Sequence, residues 1–234
     1  MVDSSSGRAG AVVRRAARRA RYAAARARGH ERAPAYAVGL GPSEQVRCGT
    51  LMDALSGQHF DRALEVGCGD GALTPRLAAH ADALVGVDRD ATALAGAARR
   101  APAATFERRD LPGDLPGGTF DLIVCADTLQ DWDPAGLGDH VGTLLDMLRP
   151  GGLLLAYHRR AECSRDGERA ADRVHDELHA TALGRGMETP VRQDRADARF
   201  DVVRRPADRA PLRPSAVPSP RTAPADQPTG ARRR

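Results

Sequence analysis

Lysine is absent from the 234-residue sequence, aromatic residues make up only 3%, and cysteine occurs four times. The cysteines are Cys48, Cys68, Cys125 and Cys163, and no two of them form a C-x-x-C pair. This spacing excludes a zinc ribbon and indicates reduced thiols. No uninterrupted apolar stretch reaches the roughly 15 to 20 residues that a signal peptide or a membrane span needs. We therefore expect a cytoplasmic protein without a membrane partner.

The basic residues are concentrated at the two ends of the chain. All 35 are arginine, and the formal net charge is +4. Residues 1–35 carry a net charge of +7 and residues 204–234 carry +6, which leaves −9 between them. This acidic middle gives no reason to expect a nucleic-acid surface there. We predict an arginine- and alanine-rich extension over 1–35, one α/β domain over 36–205 and a disordered proline- and arginine-rich tail over 206–234.

The N-terminal extension has two functional interpretations and one structural interpretation. Alanine and arginine both favour a helix, and an arginine-rich, acid-poor segment is typical of a transit peptide or of an arm that binds anions. The composition favours the other interpretation, a solvated and partly disordered extension. A non-catalytic protein that binds nucleic acid or an anionic surface through its two ends is therefore one alternative function.

The most informative stretch of the sequence is ALEVGCGDGALTPRLAAHADALVGVD, residues 63–88. Its apolar start predicts a buried strand. Gly67, Gly69 and Gly71 then permit a sharp turn on which a ligand can lie. A helix is predicted from Ala72 to Ala79, with its N-terminal amides facing the same ligand. A second apolar run ends at Asp88, about 20 residues after the glycines, where a nucleotide-binding βαβ unit places a carboxylate on ribose hydroxyls.

The charges around the glycines indicate which nucleotide would bind. A dinucleotide site requires G-x-G-x-x-G, whereas this sequence reads G-x-G-x-G, with Glu65 before the first glycine and Asp70 among them. Carboxylates repel a pyrophosphate and attract the ammonium and sulfonium charges of S-adenosylmethionine. S-adenosylmethionine is therefore the predicted cofactor. A NAD-dependent oxidoreductase and an ordinary glycine turn remain the alternatives.

At these residues the sequence resembles the class I S-adenosylmethionine-dependent methyltransferases, over about residues 43–205. The resemblance implies a Rossmann-like, seven-stranded, mostly parallel sheet with helices on both faces and a C-terminal antiparallel hairpin. It also implies that the glycine segment holds the methionine part of the cofactor, Asp88 the ribose and Asp110 the adenine. The implied cofactor-binding residues are Glu65, Gly67, Cys68, Gly69, Gly71, Asp88, Asp110 and Leu111.

Within this class the sequence is similar to the nodulation protein S family. The similarity lies in EQVRCGTLMDALSGQHFDRALEVGCGDGALTPRLA, FDLIVCADTLQDW and LLLAYHRR. It implies a small-molecule acceptor and possible N-methylation of an amino sugar or oligosaccharide. The sequence leaves the identity of the acceptor and the oligomeric state open.

Residues before the glycine segment predict a helix, and the similarity to the nodulation S family implies that it covers the cofactor. Ser43 is its expected N-cap, and Leu51, Met52 and Leu55 form an apolar face. Arg47 is a candidate for the cofactor carboxylate, although an exposed helix arginine is the interpretation that we favour.

Later apolar runs complete the predicted sheet. Phe120 to Ala126 is the most apolar run and is expected at its centre. A helix from Leu137 to Leu148, a strand from Leu153 to Tyr157 and two short strands between Thr189 and Arg204 follow.

Two polar residues are the candidates for catalysis. Asp127 follows the central strand, at the edge of the sheet where ligands bind, and with Trp132 it could hold an acceptor amine. The alternative is that Asp127 caps a turn and Trp132 wedges against the next helix. His158 ends the fifth strand and could take a proton from the acceptor, or it could be a hydrogen-bonded strand terminus.

One further cluster of residues suggests a metal site. Asp172, His175 and His179 lie three and four residues apart on a predicted helix, which is a metal-ligating pattern. No fourth ligand has suitable spacing, so we interpret the cluster as a charged helix surface and predict no metal.

Overall fold

The computed structural model describes residues 41–160 and 165–208. The predicted N-terminal extension, Cys163 and all but the first three residues of the predicted tail lie outside the described residues. Within the described part of the chain, one mixed sheet is flanked by helices on both faces.

Seven strands form the sheet: β1 (Phe60–Val66), β2 (Ala81–Asp88), β3 (Thr105–Arg108), β4 (Phe120–Ala126), β5 (Leu148–Arg159), β6 (Glu188–Asp194) and β7 (Ala198–Arg204). They lie in the order β3-β2-β1-β4-β5-β7-β6. Strands β1 to β5 pair in parallel, and β7 pairs antiparallel with both β5 and β6. The predicted Rossmann-like sheet with an antiparallel C-terminal hairpin is confirmed.

Five α-helices accompany the strands among the described residues: α1 (Pro42–Leu55), α2 (Thr74–Ala78), α3 (Ala91–Arg100), α4 (Leu137–Asp146) and α5 (Arg165–Gly184). Two short 3₁₀ helices, Leu129–Asp131 and Pro134–Gly136, lie between β4 and α4. No helix in residues 41–160 or 165–208 has both the length and the apolar character that a membrane crossing requires.

Several predicted boundaries are wrong for local reasons. Ser43 is not an N-cap, because Gly41 holds that position and Pro42 is the first helical residue, where its missing N–H is no loss. The helix after the glycines is only five residues long. Strand β5 begins at Leu148 and not at the predicted Leu153, because the Pro150-Gly151-Gly152 segment continues in the sheet, with Gly151 at φ +83°.

Alternate residues of the central strands point to opposite faces and bury two cores. One core joins Leu64, Ile123 and Leu154 to α4 and α5. The other joins Ala63, Leu122 and Leu155 to Leu51 and Leu55 of α1 and to Leu73 and Leu77 near α2. Because both faces are covered, the ligand site has to lie at an edge of the sheet.

The strand order fixes which edge this is. The chain passes from β1 outward to β3 and then returns to β4 on the other side of β1, which makes the β1/β4 junction the topological switch point. Val66 of β1 pairs in register with Val87 of β2 and with Cys125 of β4. The glycine segment, Asp88 and Asp127 therefore meet at the carboxyl ends of adjacent strands.

Candidate cofactor and acceptor site

The glycine loop leaves β1 as a backbone cradle. The amides of Gly67 and Cys68 both donate to the Val87 carbonyl oxygen, at 2.8 and 3.0 Å. Gly67, Gly69 and Gly71 all have positive φ, between +55° and +77°, a conformation that other residues adopt only with strain. A Cβ added at Gly69 would meet no atom within 4 Å, so this glycine faces the open space in which a ligand can lie.

Gly67 serves a different purpose, which is close packing. A Cβ at this position would lie 2.2 Å from the hydroxyl oxygen of Thr128. That hydroxyl donates to the Val66 carbonyl oxygen at 2.9 Å. The loop after β1 is therefore in direct contact with the loop after β4, and the two halves of the site are joined at this point.

Asp88 ends β2 with its carboxylate fixed by two backbone amides. Gly69 N donates to Oδ2 and Asp90 N donates to Oδ1, each at 2.9 Å. Both oxygens keep further acceptor capacity, since a carboxylate offers about four lone-pair sites. The Asp88 carboxylate, which is predicted to bind the ribose, is therefore held in place next to the glycine cradle.

Glu65 lies beneath the loop, only 4% exposed. Burial raises the pKa of its carboxyl to about 7, against the lowering effects of the Thr74 hydrogen bond and of Arg47. The Thr74 hydroxyl donates to Oε2 at 2.6 Å. A carboxyl that titrates near neutral pH is thus poised to become an anion when a cation arrives.

The other predicted cofactor residues have simpler surroundings. Burial raises the pKa of the Cys68 thiol well above its usual range, so this side chain is an unreactive part of the loop. Asp110 is exposed just beyond β3, and Leu111 packs against the core that contains Val87. Asp70 pairs with Arg100 at 3.3 Å, which offsets part of the negative charge predicted for the loop.

Asp127 begins the turn after β4 in an unusual backbone conformation. Its φ is +54°, which is uncommon for a residue other than glycine. Its amide donates to the Tyr157 carbonyl oxygen at 2.8 Å, and its Oδ1 accepts from the Arg159 amide at 2.8 Å. Such strain persists only where surrounding contacts over-determine it, and it is concentrated at functional sites.

The Asp127 carboxylate is also paired with two arginines. Its Oδ2 accepts from Arg159 Nε at 2.8 Å and from Arg47 Nη1 at 3.2 Å. Arg47 pairs in addition with Glu44 of α1. This network ties the covering helix to the ends of β4 and β5.

The favoured interpretation of Arg47 as an exposed helix residue is wrong. Its side chain is 12% exposed, because α1 lies over the strand ends. Its Nε atom is buried and has no hydrogen-bond partner among the described residues. A buried donor without an acceptor is costly, and this one fits an anionic group such as the cofactor carboxylate.

His158 lies at the end of β5 and is completely buried. Its Nε2 accepts from the Leu129 amide at 3.2 Å, and its Nδ1 lies 3.1 Å from Nε2 of His175. Burial, and secondly the neighbouring His175, lowers its pKa well below the usual range. The ring is therefore neutral, and both nitrogens are engaged inside the protein.

Two interpretations on this side of the sheet are resolved by burial. Trp132 is 7% exposed and packs in the core with Leu129, which matches the wedge interpretation. His175 is completely buried, so the prediction of a charged surface is wrong for this residue. No group of three or more metal-ligating side chains suited to a metal ion occurs in the described part of the chain.

Several residues that shape the site were not predicted. They are Thr74 under the glycine loop, Thr128 and Arg159 around the turn, and Asp201 near His175. Of these four, only Thr128 and Arg159 could have been found from the sequence, because each is adjacent to a predicted site residue. Thr74 and Asp201 act through contacts that sequence spacing does not reveal.

Comparisons with known proteins agree with this geometry. A methyltransferase domain model matches residues 63–152. Nodulation protein S from Rhizobium tropici is 40% identical over 122 residues, which cover 50% of this chain and 51% of that protein. The chain spans 38% to 51% of the length of the curated relatives that it matches.

Two solved structures extend the similarity over most of the domain. A methyltransferase from Pseudomonas syringae has a TM-score of 0.59 at 30% identity, over 70% of this chain and 99% of that one. The N-methyltransferase NodS from Bradyrhizobium japonicum, in complex with S-adenosyl-L-homocysteine, has a TM-score of 0.60 at 25% identity, over 71% and 89% of the two chains.

The fold, the glycine loop and these matches place the chain in the class I S-adenosylmethionine-dependent methyltransferases. Within that class it resembles NodS. Membership of this class replaces the alternatives of a NAD-dependent oxidoreductase and of a simple glycine turn.

Proposed function

We propose that this chain transfers the methyl group of S-adenosylmethionine to a small-molecule acceptor, and that the acceptor atom is an amine of an amino sugar or oligosaccharide. The observation that carries the proposal is the open backbone cradle at Gly69, between the buried Glu65 and the fixed Asp88. It lies at the switch point of the sheet, where open α/β folds bind ligands.

Four residues in and around the cradle fit the cofactor. Gly69 offers open space, Asp88 offers a fixed carboxylate for ribose hydroxyls, and the unpaired Arg47 Nε offers a donor for a carboxylate. Glu65 would place negative charge below an ammonium group. Asp110 and Leu111 stay predictions for the adenine end.

The chemistry depends mainly on alignment. Bound S-adenosylmethionine supplies a methyl group on a sulfonium, which is a good leaving group. The chain then has to hold the acceptor in line and exclude water, and such alignment can contribute on the order of 7 to 11 kcal/mol. The buried, neutral His158 and the arginine-paired Asp127 suit an ordering role on the acceptor side, and their catalytic assignment stays a prediction.

The proposed amine acceptor draws on two observations. The solved relative at 25% identity is described as an N-methyltransferase. In this chain Arg47 and Arg159 are balanced by Glu44 and Asp127, so the acceptor side carries no surplus of positive charge to attract an anionic acceptor.

The cofactor is tested by calorimetric titration of the full chain with S-adenosylhomocysteine. We expect micromolar binding that weakens about 100-fold in Asp88→Ala, because charge-assisted hydrogen bonds to two hydroxyls are lost. Asp82→Ala is the matched control, since Asp82 lies on the same strand with its side chain 70% exposed. Absence of binding to the wild type would refute the proposed function.

The acceptor is tested with radiolabelled S-adenosylmethionine and three probes: glucosamine, a chitin-derived oligosaccharide with a free amine, and a small tricarboxylic acid. We expect label on the amine compounds. Label on the acid alone would overturn the amine assignment and would leave methyl transfer intact.

A further inference from the structure

Three polar residues form a continuous chain inside the protein, and we call them the His–His–Asp chain: His158 of β5, His175 of α5 and Asp201 of β7. Each is 0% exposed. His158 Nδ1 lies 3.1 Å from His175 Nε2, and His175 Nδ1 lies 2.9 Å from Asp201 Oδ2. Groups this polar are costly to bury, so the arrangement requires an explanation beyond packing.

The donors along this chain run in one direction. Since the Leu129 amide can only donate, His158 Nε2 is the acceptor and the His158 proton is on Nδ1. That proton points to Nε2 of His175, whose own proton is therefore on Nδ1, next to Asp201. The contact between His175 Nδ1 and Asp201 does not have the geometry of a directed hydrogen bond, so it is an electrostatic attraction between the ring N–H and the carboxylate.

The other end of the chain reaches the turn over the cofactor loop. Leu129 is completely buried, and the adjacent Thr128 donates to Val66 O and fills the space beside Gly67. We call residues 127–129 the acceptor turn. If the buried Leu129 amide lost its hydrogen-bond acceptor, this turn would shift, and Thr128 would move with it.

We propose that His158 is a positioning residue: with its tautomer fixed by His175 and Asp201, it accepts from the Leu129 amide and thereby holds Thr128 against the cofactor loop. This inference rests on the proposed function, because it assigns the loop to a cofactor. It differs from the base predicted for His158, since the nitrogen facing the acceptor turn is used by the protein backbone.

Two variants of similar size separate positioning from simple packing. The amide oxygen of His158→Gln reaches about as far as Nε2 and can accept from Leu129, whereas His158→Leu offers no acceptor. We expect the affinity for S-adenosylhomocysteine to stay within about threefold of the wild type in the Gln variant and to fall about tenfold in the Leu variant. Thermal unfolding shows whether each variant is folded at the temperature of the titration.

Two NMR measurements test the proposal without any ligand. We expect the Leu129 amide to exchange about tenfold faster in His158→Leu than in the Gln variant. We also expect ring-nitrogen spectra of the wild type to show both buried histidines with the proton on Nδ1. A proton on His158 Nε2 would overturn the proposal, because Leu129 could then not donate to it.

The outcomes distinguish this inference from the proposed function. If the wild type binds S-adenosylhomocysteine and both variants bind equally well, positioning is refuted while the cofactor assignment stands. If the wild type does not bind, the proposed function fails, and the exchange rate of the Leu129 amide still decides whether His158 holds the turn.

Discussion

The two halves of the proposed site are built differently. At the cofactor half, formed by the ends of β1 to β3, the backbone itself is the binding surface: Gly69 faces open space, and two amides hold Asp88. At the acceptor half, formed by the ends of β4 and β5, side chains are the surface, and Asp127 and His158 already bond to other parts of the protein.

From this difference we infer that the cofactor half has a general function and the acceptor half a specific one. A backbone cradle binds any nucleotide of the right charge and shape, whereas a network of paired side chains can change partners when one residue changes. We therefore expect substitutions in the cofactor half to affect binding and folding strongly. Substitutions in the acceptor half should act through the turn and the covering helix.

The largest expected effect is Gly71→Ala in the cofactor half. The added Cβ would lie 2.8 Å from Cα of Ala97 at a φ of +77°, which combines a clash with backbone strain. We expect unfolding in urea to show a loss of about 3 to 4 kcal/mol. Gly57→Ala is the control, because its φ is +72° and nothing lies within 4 Å, so it should lose only about 1 kcal/mol.

Glu65→Gln should remove a pH dependence of stability. Burial raises the pKa of Glu65 from 4.5 to about 7 in the folded state, so its favourable contribution is complete below pH 4.5 and is lost as the pH rises to about 7. The cost above pH 7 is about 3 kcal/mol at most. Urea unfolding at pH 4.5 and 8 should show this loss in the wild type and not in Glu65→Gln.

Glu107→Gln, on the edge strand β3, is the control, because the Glu107 carboxylate is 35% exposed in its pair with Arg109. If wild type and Glu65→Gln lose equal stability between the two pH values, the buried carboxyl does not titrate as described. A cationic ligand stabilises the ionised form, so the affinity for S-adenosylmethionine should rise with pH up to about 7 in the wild type alone.

Asp127→Ala should have a smaller effect, at the acceptor half. Alanine keeps the strain of φ +54° and removes the acceptor for Arg47 and Arg159. We expect a loss of about 2 kcal/mol in urea unfolding, together with weaker binding of S-adenosylhomocysteine, because Asp127 belongs to the turn that contacts the cofactor loop and holds Arg47. Asp127→Asn tolerates positive φ and should lose about half as much; an equal loss would mean that charge alone holds the turn.

The smallest expected effect is chemical modification of the thiols. Burial raises the pKa of Cys68 and Cys125, so neither forms a thiolate near neutral pH. Iodoacetamide followed by mass spectrometry should leave both unmodified in the folded protein and label both in urea. Labelling of native Cys68 would show that the cofactor half opens more readily than the structure indicates.

The sequence predicted the cofactor half more completely than the acceptor half. Gly67, Gly69 and Gly71 have recognisable spacing because each is required by positive φ, and Asp88 follows from the length of one βαβ unit. Asp127 and Arg47 are 80 residues apart and pair through the packing of α1 over the sheet. No local pattern encodes such a contact, and Arg47 was therefore misinterpreted as exposed.

The helix with Asp172, His175 and His179 shows the same limit. Its spacing correctly indicated a polar helix face, but the face of His175 is covered by β5 and β7. Burial depends on which strands lie beneath a helix, and that order appears only after the sheet has formed.

The packing of Thr128 against Gly67 also constrains how this protein can evolve. The threonine hydroxyl occupies the volume that any side chain at position 67 would need, and φ +71° strains any residue but glycine there. A smaller residue at position 128 therefore has to come first to remove even the clash. Such a pair changes only in a permitted historical order. Mutations that adapt the loop after β4 to new methyl acceptors would then leave the cofactor glycine unchanged. The range of substrates could therefore diversify between lineages while the cofactor motif stays the same.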